Sequence, residues 1–223
     1  MNGSVWSRWA PISGIAFVIA YIVGMLLVRT PDSDDPAATI VAYYADSKSH
    51  RVTTIIAAYI LIAAGLLFLS FLSSLRSRLR TAEGDVGTLS ALIFGAGVVF
   101  VGLLSVGALA LAAVPGAIAF GDTGDIFDAG TIQMAQSLGW GVILIGGMLS
   151  AAVMIFTASI LTLRTGALPK WSAWIGFVAA IVLLFGVVWI PQIALLIWAL
   201  CVSGAMLARP AVTTQAAYPT PTT

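Results

Sequence analysis

No charge falls in the middle of any long apolar run of this sequence. All ten basic and nine acidic residues lie near or beyond the ends of those runs. A charge at the centre of a bilayer costs about 2.5–3.5 kcal/mol on insertion scales, so this placement is what a membrane-spanning helix requires. Composition agrees: 60% of the residues are hydrophobic and 9% are charged, where soluble domains carry about 25% charged residues. A water-soluble fold of this length has no way to cover so much apolar surface with polar groups. The runs are continuous rather than alternating, which selects helices over a membrane β-barrel.

A crossing needs about 20 apolar residues. The expected fold is all-α, a polytopic transmembrane helix bundle forming one domain over residues 1–208. Six spans are expected, at about 11–28, 53–72, 88–114, 132–163, 171–189 and 191–207. The first follows Arg8 and is not trailed by a small-x-small cleavage site, so it reads as an uncleaved span rather than a signal peptide. The fourth is too long for one upright crossing, and its polar first turns (Gln133, Gln136) are expected above the membrane. The last two form one apolar block of about 37 residues, which as a single helix reaches about 55 Å, beyond the ~30 Å core. Pro191 and Gln192 divide it; a kinked single helix is the alternative and gives five spans. The tail over 209–223, rich in Thr, Pro and Ala, is expected to be disordered.

Six spans give an orientation. Arg8, Arg76, Arg78, Arg80, Arg164, Lys170 and Arg209 fall on one side, and Arg29, Lys48 and Arg51 on the other. The side richer in Lys and Arg is cytoplasmic by the positive-inside rule, so both termini are expected there.

Three polar groupings are candidates for function. Asp34, Asp35 and Pro36 have the chemistry of a helix start. The segment from Ala37 to Lys48 then makes a short amphipathic helix, with Ile40, Val41 and Tyr44 on one face. It reads either as a surface helix or as a lid over an outward-facing cavity, with Tyr43, Tyr44, His50 and Arg51 as ligand contacts. Arg76, Arg78 and Arg80 follow the second span. They read as a topology signal, or as contacts to lipid headgroups at an anionic inner leaflet. Asp122, Asp125 and Asp128 recur every third residue, a spacing that does not fit an EF-hand loop. Glycine is dense in the third and fourth spans, and the pairs Ala91/Gly95, Gly147/Ala151 and Gly204/Ala208 suit close packing within the bundle. The hydroxyls of Ser13, Tyr21, Ser105, Ser150, Thr157, Ser159 and Ser203 are expected to bond between helices.

No catalytic residue is assigned: the spans hold no acid–base pair or activated nucleophile. One cysteine (Cys201) and one histidine (His50) make no zinc site, and no metal or cofactor is called for. The expected partners are membrane lipids, another membrane protein or a second copy of the chain; the net charge of +1 calls for no nucleic acid. The expected function is therefore a non-enzymatic, lipid- or protein-interacting bundle. The alternative is a carrier or permeation path for a hydrophobic or weakly polar solute, with a cavity between the third and fourth spans.

Three stretches, Ile40 to Asp46, Phe71 to Arg80 and Leu163 to Trp171, together resemble a family of uncharacterised bacterial multi-span integral membrane proteins of the domain-of-unknown-function kind. The resemblance extends over most of residues 10–208. It implies a bacterial inner membrane and carries no catalytic or binding residues with it.

Overall fold

A computed structural model describes residues 3–84, 87–121, 127–185 and 191–208, with side chains from residue 11 onward. The helices are α1 (Gly3–Leu27), α2 (Ala37–Ala45), α3 (Lys48–Glu83), α4 (Thr88–Phe120), α5 (Ala129–Gly141), a π-helical turn (Val142–Gly147), α6 (Met148–Thr165), α7 (Lys170–Leu183) and α8 (Pro191–Ala208). No strand occurs among the described residues. α5, the π turn and α6 make one rod from Ala129 to Thr165. Among the described residues, this rod, α3, α4 and α8 are long and apolar enough to cross a membrane; Pro11–Leu27 and α7 are shorter apolar helices.

Sequence neighbours pack antiparallel. Phe17 of α1 meets Phe68 of α3, and Gly14 lies against Phe71. Gly65 of α3 meets Val101 of α4, while Gly97 meets Leu72. Gly107 of α4 touches Gly139 of α5, Ser159 of α6 abuts Gly176 of α7, and Gly176 in turn abuts Trp198 of α8. Finally α8 returns to α1, where Gly14 touches Ser203 and Tyr21 bonds Gln192. The result is a closed ring, with α3 also touching α6 across it. Because the alternation is complete, the start of α1 and the end of α8 lie at the same end of the bundle.

The interior is filled by aromatic rings. Phe68 stands 4.6 Å from Phe17, 5.8 Å from Phe71 and 5.3 Å from Phe100, and Phe71 meets Trp198 edge-on at 6.3 Å. The exterior is apolar too. Ile19, Leu66, Val99, Leu149, Val178 and Ile193, one from each of six neighbouring helices, are all more than half exposed. An apolar shell around an apolar core is stable only where the surrounding medium is itself apolar, and the chain is a membrane-embedded, multi-pass protein.

The helices overrun the expected span limits. At 1.5 Å per residue, the 36 residues of α3 extend about 54 Å, so its arginine-bearing end projects past any single crossing. The last apolar block is two helices folded against each other, not one kinked helix. Glycine sets one of the turns: Gly166 ends α6 at φ 67°, a left-handed conformation that costs a side chain about 1–2 kcal/mol. The 209–223 tail, Asp122, Asp125 and Trp189 lie outside the described residues.

Four of the intramembrane hydroxyls do not act as expected. Ser105, Ser150, Thr157 and Ser159 each donate to the carbonyl four residues back in their own helix. This satisfies the group locally and leaves it without a role between helices. Tyr21 does bond across helices, donating from Oη to Gln192 Oε1 at 2.7 Å. The glycines also divide. Gly97, Gly107 and Gly139 sit where a Cβ would collide with a neighbouring helix, whereas Gly95, Gly102 and Gly204 have nothing within 4 Å of that position. The pairs Ala91/Gly95 and Gly204/Ala208 therefore do not serve packing inside the bundle.

Candidate functional site

The polar chemistry gathers at the two ends of the bundle. At one end, α2 lies across the tops of α4 and α5. Ile40 and Tyr44 are buried with Val114 and Ile132 in a small cluster apart from the main core, and Val41 packs against it. α2 is shorter than expected. Pro36 occupies the cap position without a side-chain bond, and the helix stops at Ala45 because Ser47 caps α3 by accepting from the His50 amide. The aspartates upstream bond among themselves: Asp35 accepts from the Asp32 amide, and Asp32 from the Asp34 amide.

The four residues expected as lid contacts are brought together here, and three make internal bonds. Tyr44 donates to the Arg29 carbonyl at 2.6 Å, an oxygen that Thr54 also reaches at 3.0 Å. Arg51 donates to the carbonyls of Tyr44 and Ala45, closing the C-terminus of α2 as a basic side chain at a helix end should. His50 places Nδ1 3.2 Å from the Tyr43 carbonyl and stacks on the Tyr43 ring at 4.2 Å. Burial pushes the Tyr44 phenol up to about 12, against the opposing pull of Gln136 and Thr54. Gln133 donates to the Ser33 carbonyl at 3.0 Å and ties the loop before α2 to α5. Sequence reasoning placed Gln133 above the membrane but had no signal for a bond spanning a hundred residues.

At the other end, the three arginines separate. Arg78 turns to α8 and donates to the Met206 carbonyl at 3.3 Å. Arg76 faces α4, its guanidinium carbon 4.9 Å from the centre of the Phe94 ring, and its Nε is buried without a hydrogen-bond partner. Arg80, one turn on, is exposed and runs beside Gly87 at the turn into α4. Glu83 was not singled out from the sequence, and it has a definite task. Its carboxylate accepts from the amides of Leu89 at 2.8 Å and Ser90 at 3.0 Å, capping α4 from the preceding helix. Burial acts to raise the Glu83 carboxyl, and the bonds from Ser90 and Leu89 outweigh it, so it titrates below the ordinary glutamate range.

Asp128, the described member of the acidic triplet, accepts from the Thr131 amide at 2.9 Å and caps α5. The Thr131 bonds hold its carboxyl below the usual aspartate range. Between α3, α6, α7 and α8 lies a cavity of about 10 Å³, bordered by Ser159, Thr162, Ser172 and Trp198; that is room for about one water. The α4–α5 interface, where a carrier's cavity was expected, is in backbone contact: a Cβ on Gly107 would lie 2.7 Å from the Gly139 carbonyl.

No protein-family model matches the chain, and neither curated proteins nor solved structures give a match.

Proposed function

We propose that this protein crosses the membrane six times with both termini in the cytoplasm, and that it acts by binding lipids or neighbouring membrane proteins rather than by catalysis. The observation that carries this reading is the distribution of polarity. The inside of the ring is filled with aromatic and aliphatic side chains, and the polar groups of the α2 cap bond to one another. The surface left for interaction is the apolar exterior and the basic end.

A carrier needs a void of a few hundred Å³. The backbone contact of Gly107 with Gly139 weighs for binding over carriage. The start of α1 and the end of α8 at one end of the ring support the even number of crossings, and Arg76, Arg78 and Arg80 at that same end support a cytoplasmic placement for it.

Native mass spectrometry of the protein extracted gently from its own membrane tests this reading. The expected result is a discrete lipid or protein partner that survives activation. A bare chain, or one carrying a small water-soluble solute, would contradict it.

A further inference from the structure

We propose that Arg76 and Arg80 form a binding site for the phosphate of an anionic phospholipid, in the groove between the end of α3 and the start of α4. The proposal rests on the membrane-binding function above and names its ligand and residues.

Arg76 carries the argument. Its guanidinium lies over the Phe94 ring, which fixes the planar group in place and favours its charge. Its Nε is buried with no hydrogen-bond partner. A donor left unsatisfied away from water is costly, more so on a charged group. Among the described residues, no carboxylate pairs with Arg76 or Arg80. The carboxylate at hand, Glu83, is bonded to the Leu89 and Ser90 amides and so faces the α4 terminus.

Position selects the ligand. Arg80 lies one helical turn beyond Arg76 on the α4-facing side of α3, Arg76 against Phe94 and Arg80 beside Gly87, while Arg78 is drawn off to α8. Toward the middle of the bundle, Val98, one turn beyond Phe94 on α4, is an exposed apolar side chain. A phosphate at the arginines with acyl chains along α4 matches both halves. Guanidinium recognises phosphate through paired N–H bonds, which a zwitterionic headgroup answers less well because its own cation offsets the charge.

The test uses the full chain, delipidated in detergent and titrated with phosphatidylglycerol or phosphatidylcholine under native mass spectrometry. Wild type should hold one phosphatidylglycerol through activation that strips phosphatidylcholine. Arg76→Gln should lower that occupancy about tenfold, and Arg80→Gln and Phe94→Leu should lower it by less. Arg164→Gln, which removes one charge from the same end of the bundle, should leave it unchanged. Circular dichroism and melting identify any variant that fails to fold; should Arg76→Gln be one, Phe94→Leu and Arg80→Gln decide the outcome.

Equal loss in Arg76→Gln and Arg164→Gln would overturn the site in favour of diffuse surface charge. Equal retention of the two lipids, or displacement by millimolar inorganic phosphate, would also overturn it. Lipid held by wild type and by Arg76→Gln alike would remove this site and leave the membrane-binding reading standing. A wild type that retains neither lipid nor protein from its native membrane would remove both.

Discussion

Tyr44 and Glu83 perform related tasks at opposite ends of the bundle: each uses one polar side chain to fasten a chain segment that local helix formation would leave loose. Tyr44 reaches back to the Arg29 carbonyl, and Glu83 reaches forward to the amides that open α4. Tyr44→Phe should lower stability by about 1 kcal/mol, because Thr54 still satisfies the Arg29 oxygen. The check is thermal unfolding in detergent. For Glu83 the sign follows from its depressed titration. Its stabilisation is fully present above the ordinary glutamate value of 4.5 and is lost as pH falls through the lower value it has when folded. Melting temperature should therefore drop as pH is lowered from about 6 to about 3, and Glu83→Gln should make that drop shallower. A variant with the same pH slope as wild type would show that the carboxylate does not cap α4. Neither task was legible from the sequence. Tyr44 read as a ligand contact and Glu83 drew no reading of its own, since a side chain's bond to a distant carbonyl or amide leaves no trace in periodicity.

At the scale of elements, the sequence was most informative where lipid dictates the pattern. The apolar runs located every long helix, and Pro191 correctly marked the division between α7 and α8. Boundaries were less legible, because helices continue past the hydrocarbon region wherever nothing stops them; α3 runs on to Glu83, and Gly84 stops it with φ 89°. The π turn at Val142–Gly147 was invisible, since one extra residue in a turn does not alter an apolar run. The glycines show the same limit. The sequence singled out Gly95 as a packing position, yet the structure leaves it in the open and puts Gly97, Gly107 and Gly139 at the helix contacts. Gly107→Val should destabilise by about 1–3 kcal/mol, because a Cβ there meets the Gly139 carbonyl and Ile143. Gly95→Ala, with nothing within 4 Å, should be neutral or gain up to about 1 kcal/mol from helix propensity. Unfolding of the two variants side by side in the same detergent separates them. Equal effects would mean that the α4–α5 contact is not formed.

For the whole molecule, six antiparallel helices closing into a ring make a topological statement as well as a packing one. The pairing of α1 with α8, through Tyr21 and Gln192 and through Gly14 and Ser203, joins the first helix to the last. That closure needs an even number of passes along the bundle axis. The sequence arrived at an even number from its apolar runs and the division at Pro191, and its charge pattern then oriented those spans. Helix contacts do not report which side of the membrane the ends occupy; the cytoplasmic side proposed from the positive-inside rule is the central claim. The direct measurement is cysteine accessibility in intact cells on a Cys201→Ala background, with single cysteines at Ser4, Ser33, Ser77 and Thr213. Six crossings with cytoplasmic termini predict that Ser33→Cys is labelled by an impermeant reagent from outside, and that the other three are labelled only after permeabilisation. Labelling of Thr213→Cys from outside while Ser4→Cys stays protected would contradict it, because the chain would then cross an odd number of times.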